Sequence, residues 1–280
     1  MRMSVEKIGE ERIHITDYPG KKGTIIAIHG LTGNHKQMHY YAEMLKERYR
    51  IIAVDLRGRG NSSETDEDTS LFKHAEDIIA LIHKLDIANP ILLGYSMGAF
   101  ISAVVASRLK QVKGLILLDG AATSTQQQRD IVQPSLGRLS KKYDSKEGYV
   151  EEIKEIYNRL GVKWTEHLQS VVEYEVHEVE GHWENKSSES SILADFNSFY
   201  SFIPKEICSQ ISCPTLLVHA SGDIGKFPPL FYKEAYDDTK DYIANIETVT
   251  SDCNHYTMVF ENREEINQAI NVFLKNSVKL

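Results

Sequence analysis

The sequence predicts an α/β protein built on a parallel sheet with helices on both faces. Three observations predict it. Short, nearly continuous apolar runs recur at 23–29, 50–54, 91–95 and 112–118, the pattern of strands buried on both faces. Stretches with apolar residues at helical spacing separate them, and such alternation favours parallel strands joined by crossover helices. All four runs end at a glycine, a serine turn or an aspartate, with functional-looking polar residues at the same end of each strand.

The first run reads Gly-Thr-Ile-Ile-Ala-Ile from Gly23 to Ile28 and ends at His29-Gly30. Met38, Tyr41, Ala42, Leu45 and Tyr49 then fall at helical spacing, and the run 50–54 ends at Asp55. A polar turn follows, Asp55-Leu56-Arg57-Gly58-Arg59-Gly60-Asn61-Ser62, before a helical stripe of Leu71, Phe72, Ala75, Ile78, Ile79, Ile82 and Leu85. The strand 91–95 leads into a helix from 96 to about 108, and the strand 112–118 ends at Asp119. From 121 to 204 the alternation stops. This stretch is read as an inserted helical cap, with helices around Val150, Ile153, Ile156, Tyr157 and Leu160, around Leu168, Val171 and Val172, and around Phe196, Phe199, Tyr200 and Phe202. The predicted core is therefore 1–120 with 205–280. Strands resume at 215–220 and 243–249, and a last helix carries Ile266, Ile270 and Phe273, with Asn262 and Glu265 spaced as a capping box.

A chain of 280 residues with ordinary apolar and charged fractions can bury a sizeable core. The N-terminus has no signal-like apolar stretch and no window approaches a membrane span, so the expected location is the cytoplasm. There, Cys208, Cys213 and Cys253 are expected to stay thiols. The net charge of −8 argues against nucleic acid and anionic membrane as partners. A small-molecule substrate and a monomer or homodimer are the expectation.

Gly94-Tyr95-Ser96-Met97-Gly98 sits between a strand and a helix. That context makes Ser96 a candidate nucleophile on a sharp turn, with glycines where side chains would collide with the flanking elements. A serine hydroxyl needs a base and an acid that orients the base. His255 follows the last predicted strand and is the candidate base. Asp223, after the strand 215–220, gives the chain order Ser, Asp, His and is the preferred acid, while Asp119 ends an earlier strand at the same edge and is the alternative. Asp252 reads as a turn residue. The amides of Leu31 and Met97 are the candidate oxyanion donors, with the His29 side chain structural.

No cofactor and no metal is expected. Gly58-Arg59-Gly60 has Ser63 where a dinucleotide fingerprint needs its third glycine, and no phosphate-binding lysine loop is present. His177, Glu178, Glu180, His182 and Glu184 match no standard metal spacing and read as a solvated face. A basic side chain inside the pocket would imply a carboxylate-bearing substrate, but spacing does not select among Arg57, Arg59, Arg129, Arg138 and Lys142.

Through the His29-Gly30 loop, the 55–62 turn, the Ser96 elbow, Asp223 and His255, the chain resembles the capped α/β-hydrolase superfamily, in its serine esterase and lactonase-like branch. The resemblance implies an eight-stranded, mostly parallel sheet, a helical lid after the sixth strand and a cofactor-free Ser-His-Asp triad. Related haloalkane dehalogenases and epoxide hydrolases carry aspartate at the elbow, so Ser96 excludes their reactions. The elbow is also similar to that of cofactor-free lyases of menaquinone synthesis, although Ala99-Phe100 departs from their glycine-arginine. The implied activity is hydrolysis of a small or medium ester or lactone. The alternatives are carbon–carbon hydrolysis or a lyase reaction on the same scaffold, and a ligand-binding sensor.

Overall fold

The structure, a computed structural model, describes residues 1–66 and 68–279. Its strands are β1 (Arg2–Ile8), β2 (Glu11–Tyr18), β3 (Gly23–Ile28), β4 (Tyr49–Val54), β5 (Pro90–Tyr95), β6 (Gly114–Leu118), β7 (Lys142–Tyr143), β8 (Val176–Val179), β9 (His182–Asn185), β10 (Thr215–Gly222) and β11 (Ile246–Asn254). Eight of them form one sheet in the order β1-β2-β4-β3-β5-β6-β10-β11. From β4 to β11 every pairing is parallel, whereas β1 and β2 make an antiparallel hairpin that joins β4 antiparallel.

The central strands are where the apolar runs place them, because strands covered on both faces must be apolar on both. All six residues of β5 and all five of β6 are buried. The helix Met97–Arg108 is buried along its whole length from Met97 to Ala106. It packs on β5 and against the helices Leu71–Lys84 and Pro204–Cys208, which explains its small, apolar composition. Ser70 starts the helix Leu71–Lys84 by accepting from the Lys73 amide.

The last strand runs to Asn254, not 249, and the predicted capping box is not formed. Arg263 precedes the helix Glu264–Asn276 without a side-chain cap. Glu265 instead accepts from Ser251 Oγ at 2.7 Å and Arg263 Nε at 2.9 Å, and Asn262 accepts from Asn267.

Between β6 and β10 the chain leaves the sheet. The helices Gln126–Val132, Lys146–Arg159, Glu166–Glu173 and Glu189–Ser198 form most of this excursion, but it also holds a small sheet, β7-β9-β8. An all-helical reading missed it because β8 and β9 are mostly half-exposed and carry no apolar alternation. Their turn places Glu180 at φ 49° and Gly181 at φ 83°, the backbone of a tight hairpin whose two central residues are left-handed.

Two buried carboxylates fasten the excursion to the core. Asp55, at the end of β4, accepts from the His35 amide (2.7 Å) and His35 Nδ1 (2.9 Å) on one oxygen, and from the Asn61 amide (3.1 Å) and Tyr174 hydroxyl (2.8 Å) on the other. Asp195, on the helix Glu189–Ser198, pairs with Arg59 at 2.6 Å and accepts from Thr69 Oγ1 at 2.8 Å, with His74 Nε2 at 2.9 Å. Arg59 and Asp195 are both essentially inaccessible to solvent. Removing one member of a buried pair strands the other's charge. Asp195→Ala is therefore expected to cost about 3–5 kcal/mol in urea unfolding, while Asp237→Ala, on an exposed pair with Lys240, changes stability by about 0.5 kcal/mol or less.

Candidate active site

The carboxyl ends of β5, β6 and β11 converge. Ser96 follows β5 with φ 52° and ψ −119°, a backbone conformation that L-residues adopt only when their surroundings enforce it. The enforcement is steric and hydrogen-bonded. A methyl group at Gly94 would meet the Gly98 carbonyl, one at Gly98 would meet the Ile28 carbonyl, and the Ser96 amide donates to the Leu118 carbonyl at 2.9 Å.

His255 follows β11 directly. Its Nε2 lies 3.1 Å from Ser96 Oγ, and its Nδ1 lies 2.7 Å from Asp119 Oδ2. All three residues are buried. The Tyr95 hydroxyl donates to the His255 carbonyl at 3.0 Å, and the rings of Tyr95, Phe231 and Tyr256 surround the imidazole.

The carboxylate facing His255 is thus Asp119, and the preference for Asp223 is corrected. The reason lies in the strand ends. Tyr95 pairs with Leu118, so the residues just beyond them, Ser96 and Asp119, emerge side by side. β10 runs further, with a register shift between Ala220 and Gly222, and delivers Asp223 to an exposed position past the sheet edge. Asp119 itself sits at φ 44°. Its second oxygen accepts from the Ala220 amide at 3.0 Å and the Tyr236 hydroxyl at 2.9 Å. Burial, and then the Asp119 charge, push the Tyr236 phenol well above its ordinary range, so it remains a donor. The contact of Tyr236 with Asp119 was not signalled in the sequence, where Tyr236 lies in a polar stretch far from the motifs.

The loop after β3 leaves its donors unevenly used. Gln37 Oε1 accepts from the Gly30 amide at 2.9 Å, the Gly33 amide donates to the Gly30 carbonyl at 3.1 Å, and Arg59 donates twice to the Leu31 carbonyl at 3.0 and 3.1 Å. Among the described residues, no acceptor takes the amide of Leu31, or that of Met97 at the first position of its helix. A methyl group at Gly30 would press on the Tyr95 ring and Ser96 Cβ, which shows how closely this loop approaches the serine. His29 is turned away into the core: its Nε2 accepts from the Leu56 amide at 3.0 Å and its Nδ1 faces the Gly30 carbonyl at 2.7 Å. Burial lowers its pKa to about 3, so it stays neutral.

Beside Ser96 and His255 opens a cleft of about 890 Å³, its mouth included, lined mainly by apolar side chains such as Val132, Leu136, Ile156, Phe199, Leu230 and Phe231. Among the described residues, one group of three possible metal ligands is found, His14, His35 and Asp55. It lies apart from this cleft, and Asp55 is already occupied by four hydrogen-bond donors. The acidic hairpin does not assemble such a group: His182 and His177 each face Glu184, at 3.2 and 3.8 Å.

The chain belongs to the alpha/beta hydrolase fold family, whose model matches residues 23–262. It is 41% identical over 101 residues to the AB hydrolase superfamily protein YisY of Bacillus subtilis, covering 35% of this chain and 38% of that protein. It is 31% identical over 101 residues to 2-(acetamidomethylene)succinate hydrolase of Mesorhizobium japonicum, covering 36% of each. The matched stretch thus spans little more than a third of either relative. In three dimensions it is similar to a crystal structure of E-2-(acetamidomethylene)succinate hydrolase, with a TM-score of 0.84 at 20% identity over 98% of this chain and 99% of that one. Among the described residues no helix is long and apolar enough to cross a membrane.

The placement of the two aspartates is testable with an activated ester such as p-nitrophenyl acetate. Asp119→Asn is expected to lower kcat by about 10⁴-fold, as loss of the orienting carboxylate does in a Ser-His-Asp triad. Asp223→Asn is expected to stay within about twofold of the parent, because an exposed carboxylate without a partner in the site gives the imidazole nothing to lose.

Proposed function

We propose that the protein is a serine hydrolase that cleaves a small or medium carboxylic ester or lactone through an acyl-enzyme on Ser96. The observation that carries this reading is the continuous chain from Ser96 Oγ to His255 Nε2, 3.1 Å, and from His255 Nδ1 to Asp119, 2.7 Å. His255 takes the hydroxyl proton as Ser96 attacks the carbonyl carbon. Asp119 keeps Nδ1 protonated, so that Nε2 is the basic nitrogen, and stabilises the imidazolium that forms. The amides of Leu31 and Met97 donate to the oxyanion of the tetrahedral intermediate.

Collapse of that intermediate breaks the ester bond, and His255 returns its proton to the leaving oxygen. Water then enters, is deprotonated by His255 and attacks the acyl carbon. The second collapse frees the acid and restores Ser96. The excursion 121–204 acts as the cap in this scheme, since residues such as Val132, Leu136 and Phe199 wall the cleft above the serine. That apolar wall lowers the local dielectric, which strengthens the hydrogen bonds to the developing charge.

Intact-protein mass after treatment with a fluorophosphonate probe tests the scheme. Folded wild-type protein is expected to gain one adduct, and Ser96→Ala none, with turnover of an activated ester reduced by about 10⁴-fold or more in the variant. No adduct on folded wild type would sink the acyl-enzyme reading and favour proton-transfer chemistry or ligand sensing.

A further inference from the structure

The cleft above Ser96 is apolar on most sides, yet one permanently charged side chain lines it, Arg138. The other basic residues that might have faced inward are accounted for elsewhere. Arg57 pairs with Asp77 at 2.6 Å and Glu11 at 3.4 Å, and Arg59 with Asp195. Arg129 donates to Asn197 and stacks over Tyr200, and Lys142 is exposed on β7.

Arg138 is held in place by its own 3₁₀ turn, Gln133–Ser140. Leu136 and Leu139 on that turn are buried with Ile192 in a small separate core that Leu31 also touches. Among the described residues the guanidinium donates only to neutral oxygens, the Ser135 carbonyl at 2.8 Å and Thr32 Oγ1 at 3.4 Å. Thr32 is the neighbour of Leu31, so the cation stands beside the candidate oxyanion loop. Among the described residues, no carboxylate lies within 4.0 Å of it. At longer range it faces the Tyr149 phenol and then Glu175; Glu175 is engaged by the Tyr149 hydroxyl at 2.5 Å and is pushed up to about 7 by burial, so it is only partly charged at neutral pH.

A guanidinium offers five N–H donors in a flat fork that matches a carboxylate. Arg138 is half-buried at the cleft wall, so its free donors face the cleft and solvent, and a carboxylate that reaches the fork replaces water there with charge-assisted hydrogen bonds. We infer that Arg138 binds a carboxylate of the substrate, and that the protein acts on anionic acyl compounds rather than on neutral fatty esters. This inference rests on the acyl-enzyme reading above and narrows its substrate class.

The experiment compares two alkyl fluorophosphonates of matched length, one ending in a methyl group and one in a carboxylate, by their second-order rates of labelling Ser96. Wild type is expected to react with the anionic probe at least about 10-fold faster than with the neutral one, the equivalent of about 1.4 kcal/mol. In Arg138→Gln the ratio is expected to fall to one or below, because an uncharged cleft penalises a buried carboxylate. Arg138→Lys, which keeps the charge and loses the fork, should fall between them. Wild-type preference for the neutral probe, or an unchanged ratio in Arg138→Gln, overturns the inference. Failure of both probes to label folded wild type instead overturns the acyl-enzyme reading on which it rests.

Discussion

The left-handed backbone of Ser96 is the constraint around which the carboxyl edge of the sheet is organised. A serine at φ 52° is strained by itself and persists only because neighbours leave it no alternative. Those neighbours are backbone rather than side chain: the Leu118 carbonyl that receives its amide, and the Ile28 and Gly98 carbonyls that exclude any methyl group at Gly98 or Gly94. Gly120 is under the same compression, since a methyl group there would meet the Ser96 carbonyl. Three strand ends are thus locked at van der Waals contact, and the Cβ of Ser96 is held where its hydroxyl meets His255.

The same close approach explains the position of the acid. Parallel strands in register emerge at the same height, so the residue after β6 stands beside the residue after β5 without any loop to guide it. Asp119 needs only a left-handed turn of its own, φ 44°, to aim its carboxylate across the end of β10 toward His255. The Ala220 amide and Tyr236 hydroxyl then fix its outer oxygen. β10 lies between β6 and β11 but runs on past this level with a register shift near Gly222, and Asp223 stands exposed beyond it.

Legibility in the sequence followed burial. Strands covered on both faces announced themselves as apolar runs, and the serine could be placed because it stands directly after one; the histidine follows β11, most of which is exposed or half-buried, and was placed by the loop between the last strand and the last helix. β1 did not, since an edge strand reading Arg-Met-Ser-Val-Glu-Lys-Ile exposes most of its side chains. The hairpin β8-β9 failed for the same reason, being nearly polar on both faces. The choice between Asp119 and Asp223 turned on a one-residue irregularity in β10, which leaves no mark in composition or spacing. Arg138 was one of five basic candidates, and only the packing of Leu136 and Leu139 around it decides where it points.

The charged groups that escaped the sequence reading join the excursion to the chemistry. Arg59 gives two donors to the Leu31 carbonyl and its remaining charge to Asp195 on the opposite side. A buried guanidinium holds such a geometry only while its counter-charge is present. The orientation of the Leu31 peptide therefore depends on the helix Glu189–Ser198 being seated, and the aromatic wall supplied by Phe196 and Phe199 comes with the same helix and its continuation. Walling the cleft and orienting the loop beside the serine are in this way one structural event, so a displaced helix would open the cleft to water and loosen the Leu31 carbonyl together.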